Sequence, residues 1–211
     1  MSSPVNLPGD LVVPGNLRVG GTITPTKARS EILSQVELQP FTIPWTAWRI
    51  WDAYITGLGA TPTSDDDLAL IGGTFGTDPP SIQTGDCKAV TKTRYARAVV
   101  QVPWDYEAGQ SVKIRFHAGM VTTISDSTAT IDVVVYRSDE ELGLSADLST
   151  TEAATSINSL TFADIDFTIT AATITPGDML DIRVVIAIVD AVATTAVIGC
   201  IGAAQLLCDV R

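Results

Sequence analysis

Few side chains in this sequence could do chemistry, and their spacing limits what that chemistry could be. His117 is the one histidine, placed in an Arg-x-His alternation near an expected strand end. No Gly-x-Ser-x-Gly elbow or cysteine context surrounds it, so it reads as a satisfied structural histidine and not as the base of a triad. A single histidine without a C-x-x-C pair also fails to supply a Cys/His metal site. Residues 70–76 (LIGGTFG) have the glycines of a phosphate cradle but neither its lysine nor its strand-to-helix setting. Carboxylates remain, because glycoside hydrolysis needs only two. Asp164 and Asp166 share one face of an expected strand, and Asp139, Glu140 and Glu141 form an acidic loop. Both groups read as solvated surface, with an enzymatic alternative in which Asp164 or Glu140 carries turnover. Asp65, Asp66 and Asp67 invite a calcium ion, but the alternating acids, central glycine and distal glutamate of a calcium loop are missing. The expectation is a chain with no catalytic residues, no metal and no cofactor.

The aromatic residues are the other candidates. Trp45, Trp48 and Trp51 fall within seven residues, Tyr54 follows, and Trp104 stands alone. Buried, they anchor a core or an interface; exposed, they could form a platform for sugar rings. The first reading is preferred. The alternative is a receptor- or carbohydrate-binding module in which Trp48, Trp51 or Trp104 acts with the loops 61–86 and 137–163.

The elements that must position these residues are strands. From Val90 onward the apolar period is two: Ala96, Ala98, Val100 and Val102 alternate with Tyr95, Arg97, Val99 and Gln101. The longest row is Leu180, Ile182, Val184, Ile186 and Ile188, and residues 194–210 close the set. About eight strands at sandwich spacing predict an all-β, jelly-roll-like antiparallel sandwich. Two segments match, AGQSVKIR (108–115) and PGDMLDIR (176–183). Each is a tight turn delivering a strand that ends in arginine, as paired Greek keys would repeat it. The runs 131–135 and 184–189 are apolar on both faces, so the second face should be covered by the loop 137–163 or by a neighbouring subunit. Residues 26–39 are the one segment with helix-like spacing, or else an extended connector.

Ahead of this body the chain repeats in sixes: VNLPGD, LVVPGN, LRVGGT, ITP. Val5, Leu11, Leu17 and Ile23 share one column, and Leu7, Val13 and Val19 another. Gly9, Gly15 and Gly21 fill the corners, where a positive φ is needed. This is a β-thread arm, and seven apolar side chains cannot offset the entropy of ordering about twenty residues. It needs a partner surface: the body, identical chains or a host assembly. The division expected is an arm at 1–26, a connector at 27–44 and the sandwich at 45–211.

Composition narrows the partners. A net charge of −11 without a Lys/Arg cluster argues against a nucleic-acid binder. The longest apolar run, 184–189, is too short to span a membrane as a helix, and the first residues lack the basic and apolar regions of a secretory signal. Cys200 and Cys208, about 26 Å apart in an extended strand, cannot bond to each other without a turn. A Cys87 bridge to one of them stays open, with three buried free thiols preferred.

With these residues in view, the run LPGDLVVPGNLRVGGTITP resembles the leader repeats of tailed-bacteriophage virion surface proteins: capsid decoration or cement proteins, head fibres and tail fibres. The Thr/Ala/Val-rich body is similar to their jelly-roll heads. The resemblance implies a non-enzymatic virion protein made in the host cytoplasm. It also implies a homo-oligomer, with a trimer expected, whose arm engages the major capsid protein or another virion protein.

Overall fold

The computed structural model describes residues 38–138, 141, 143–150, 152–192 and 194–210. The hexad residues Val5 to Ile23, the segment 26–37, Asp139 and Glu140 lie outside them.

Ten strands are described: β1 (Gln39–Thr42), β2 (Ala69–Ile71), β3 (Ser81–Gln83), β4 (Thr91–Gln101), β5 (Val112–Met120), β6 (Thr128–Ser138), β7 (Thr155–Ser156), β8 (Ala163–Ile169), β9 (Met179–Val189) and β10 (Gly199–Cys208). They form a six-stranded sheet, β2-β3-β10-β5-β8 with β1 also on β10, and a four-stranded sheet, β4-β9-β6-β7. All the pairings between these strands are antiparallel. From β3 to β6 the chain changes sheet at every connection, and it does so again from β7 to β10. The orders β3-β10-β5-β8 and β4-β9-β6-β7 are those of a jelly roll, so the expected fold class is observed.

The period-two rows face inward as read. Leu180, Ile182, Val184, Ile186 and Ile188 are all fully buried, as are Val112, Ile114, Phe116 and Met120 of β5. Each such apolar side chain contributes roughly 1.5–3 kcal/mol by leaving water. An aromatic chain runs through the centre, with Trp48 and Phe116 rings 6.1 Å apart and Phe116 edge-on to Phe167 at 6.1 Å.

One local outcome differs from the sequence reading, and two add to it. Residues 39–42, expected in the connector, are β1 and pair with residues 205–208 of β10, so the sandwich includes them. β1 and β3 share one edge of β10, on either side of a register shift between Ile201 and Ala203. The loop after β6 reaches the outer face at Leu144, beside Tyr136 and Arg183. Its Leu148 donates a backbone hydrogen bond to Val135 along the strand edge, and Leu148 and Ile157 enter the core.

The matched turns fall at equivalent places, one in each sheet. Gly109 precedes β5 at φ 80°, and Gly177 precedes β9 at φ 90°. That region is open to glycine and costly for other residues. A Cβ on Gly177 would also lie 2.5 Å from the Trp104 ring, whereas one on Gly109 would meet nothing within 4 Å. All three cysteines are free and buried, and burial pushes the Cys208 thiol up to about 11.

An aromatic and arginine cleft on the outer face

The outward positions of β4, β9 and β6 carry the candidate site. Pairing sets them in rows across the sheet: Tyr95, Val185 and Asp132; Arg97, Arg183 and Val134; Val99, Asp181 and Tyr136. Arg97 and Arg183 are therefore directly opposed, an arrangement that repels unless each cation finds other company. Arg97 turns to Asp181, donating through Nε at 2.7 Å and through Nη2 to the second oxygen. This fork holds the Arg97 proton more firmly than usual, raising its pKa. Arg183 turns the other way. Its Cζ lies 5.2 Å from the Tyr95 ring centre and 5.6 Å from that of Trp51. Among the described residues its buried Nε has no hydrogen-bond partner.

Trp51 reaches the sheet because two segments dock on the free edge of β4. Arg49 exchanges backbone hydrogen bonds with Arg97, and residues 49–57 turn back on themselves through Ile50 N–H to Thr56 O at 3.0 Å. Farther along, Tyr95 N–H donates to Asp66 O at 2.7 Å and Leu68 N–H to Tyr95 O at 2.9 Å. Trp51 then packs on Tyr95 at 5.1 Å and donates its indole N–H to Asp66 Oδ2 at 3.1 Å. Tyr54 from the same small hairpin covers Arg97, 5.0 Å from ring to guanidinium. Hydrogen bonds from Ser64, and then from Trp51, hold the Asp66 carboxyl below the usual range.

The result is a cleft of about 210 Å³ lined by Trp51, Arg97, Tyr136, Leu144, Asp181 and Arg183. A wider hollow of about 410 Å³ lies at the β2–β3 turn, residues 73–80, but Asp78 is its one ionisable lining residue. The smaller cleft offers flat rings, two guanidinium groups and a carboxylate at one place. That combination binds a ligand with both an apolar face and polar edges.

The four tryptophans separate. Trp48 is 1 % exposed and belongs to the core, which removes it as a ligand contact. Trp45 lines an apolar groove with Ile43, Pro44 and Ala204. Trp104 is 72 % exposed but sits over Gly177, outside the cleft. Trp51 alone joins the arginines. Tyr95, Arg97, Tyr136, Asp181 and Arg183 were not among the residues expected from the sequence; the signal available was polar and aromatic residues at the outward positions of otherwise apolar strands.

The remaining candidates are engaged elsewhere. On the outer face of the six-stranded sheet, Arg115 donates to Asp166 through Nε at 2.6 Å and Nη2 at 3.0 Å, and its Nη1 is 3.5 Å from Asp164. His117 Nδ1 lies 2.7 Å from Asp164 Oδ1 and Lys113 Nζ 3.5 Å from Asp166. The Arg115 hydrogen bond lowers the Asp166 pKa. Asp65 pairs with Lys92, and Asp67 accepts from the Ser64 backbone N–H at 3.0 Å. Of the three adjacent aspartates, Asp65 thus serves Lys92, while Asp66 and Asp67 share Ser64.

No family model and no curated protein matches the sequence. Among solved structures, the chain is similar to a xylan-binding module of type CBM15 (TM-score 0.40, 13 % identity, 82 % of this chain and 99 % of that one). It is similar to the CBM22-1 xylan-binding domain of Xyn10C from Paenibacillus barcinonensis (TM-score 0.37, 13 % identity, 69 % and 83 %). A sugar-binding protein, described as putative, from Bacteroides thetaiotaomicron gives TM-score 0.41 at 11 % identity over 84 % and 97 %.

Proposed function

We propose that the sandwich is a non-catalytic carbohydrate-binding module that holds its ligand in the outer-face cleft. The observation that carries this reading is the joining of Trp51, Tyr95 and Tyr136 with Arg97, Arg183 and Asp181 on one open sheet face. A sugar ring presents C–H groups on its faces and hydroxyls around its rim. Trp51 can take the first, and the arginine–aspartate fork can donate to and accept from the second. Binding without turnover fits the carboxylates, since Asp164 and Asp166 lie beside Arg115 and Asp181 is held by Arg97. The test is a glycan array probed with the wild type, Trp51→Ala and Trp104→Ala. Trp51→Ala abolishes the wild-type signals and Trp104→Ala keeps them; the reverse pattern removes the cleft from the account.

The N-terminal hexads favour a second, compatible reading at the level of the whole chain. The arm would assemble identical chains, as a trimer, or dock them on the major capsid protein or another virion protein, so that the module works as a decoration or fibre protein of a phage particle. Its basis is the alternation of apolar columns and glycine corners at residues 5–25. Native mass spectrometry of the full chain and of a chain starting at Glu37 tests it. A trimer that becomes a monomer on truncation makes the arm the assembly device, whereas monomers in both cases leave assembly to another virion protein.

A further inference from the structure

We propose that the ligand of the cleft is acidic, and that Arg183 receives its carboxylate; this rests on the carbohydrate reading above. The argument is one of charge and hydrogen-bond capacity within a single cavity. Arg97 and Asp181 neutralise each other through a two-point fork. Arg183 lines the same cleft, and among the described residues no carboxylate comes within 4.0 Å of it. Asp132 shares the sheet face but accepts from the backbone N–H of Val133 at 2.8 Å. Among the described residues, the cleft therefore holds one positive charge without a carboxylate within salt-bridge distance.

Arg183 stands directly opposite another arginine, and among the described residues its Nε is buried with no acceptor. The two rings beside the guanidinium contact it without accepting from its N–H groups, and a planar fork matches a carboxylate at two points. The whole chain carries −11, which opposes an acidic ligand at a distance. That field is screened beyond about 8 Å at physiological salt, so the attraction acts at contact range. An acidic sugar joins both halves of the cleft: its ring against Trp51 and its carboxylate on Arg183.

The experiment is isothermal titration of the full chain with matched pairs of glycans: oligogalacturonate and its carboxyl-reduced form, oligoglucuronate and its reduced form, and sialyllactose and lactose. For at least one pair the acidic member binds about tenfold tighter or more, as a charge-assisted fork predicts. Arg183→Gln brings the acidic member's affinity down to that of its neutral partner, and Arg183→Lys, which keeps charge but not the fork, retains part of the preference. Thermal melts of both variants confirm that they fold. If acidic and neutral members bind alike, or Arg183→Gln keeps the preference, the inference is overturned while the carbohydrate reading stands. If no member of any pair binds, the carbohydrate reading falls and takes the inference with it.

Discussion

Arg115 and Arg183 arrive by the same route and end in opposite company. Each closes a turn–strand segment of matching sequence, each follows a glycine of positive φ, and each points outward from a central strand of its sheet. On β5 the neighbouring strand β8 supplies Asp164 and Asp166, and both pair with the guanidinium. On β9 the neighbours supply Arg97 and Val134, and the second guanidinium is met by two aromatic rings. One face is closed electrostatically and the other is left with capacity to bind. The difference lies not in the arginines but in what the adjacent strands place beside them.

The turns that deliver the two arginines allow the harshest test of this pairing. Gly177→Ala forces a Cβ both into positive φ and against the Trp104 ring, and should cost about 3 kcal/mol in urea unfolding. Gly109→Ala meets open space and should cost about 1 kcal/mol, from the backbone alone. Equal losses would show that Trp104 gives way and that the two turns are interchangeable.

The arginines themselves come next. Arg115→Gln leaves adjacent carboxylates with weaker partners and should lower stability by about 1 kcal/mol, modest because the network is partly exposed. Arg183→Gln should change stability by less than about 0.5 kcal/mol. The cation–π attraction it loses is offset by relief of the repulsion from Arg97. A larger loss for Arg183→Gln than for Arg115→Gln would make Arg183 a structural residue.

Acid gives the smallest effect. The folded Asp166 pKa lies below the ordinary value of 3.8. Its contribution is therefore complete above about pH 4 and is lost as pH falls through the lower folded value. Stability curves from pH 6 to 2 should show this loss in the wild type and a weaker one in Arg115→Gln. If the two curves are parallel, the Arg115–Asp166 fork is not the source.

The sandwich was legible because a half-buried strand declares itself every second residue, and the rows on β4, β5 and β9 all point as their spacing implied. The matched turns were also visible. Which tryptophan would face a ligand was not. Trp48 and Trp51 are three residues apart in a segment without periodicity, and their fates part because Arg49 pairs with Arg97 on the edge of β4. That pairing sends Trp48 into the core and leaves Trp51 over the sheet. The isolation of Arg183 was hidden for a related reason. It depends on Val134 of β6 and on the 49–66 segment, neither of which is near it in sequence.

The most direct measurement uses the four indole N–H signals of the protein in two-dimensional ¹⁵N NMR, each assigned by single Trp→Phe variants, during titration with a glycan that binds. The account predicts that the Trp51 signal moves with ligand concentration while the buried Trp48 and the distant Trp104 signals stay fixed. A ligand that shifts Trp104 or Trp45 and leaves Trp51 unmoved would contradict it.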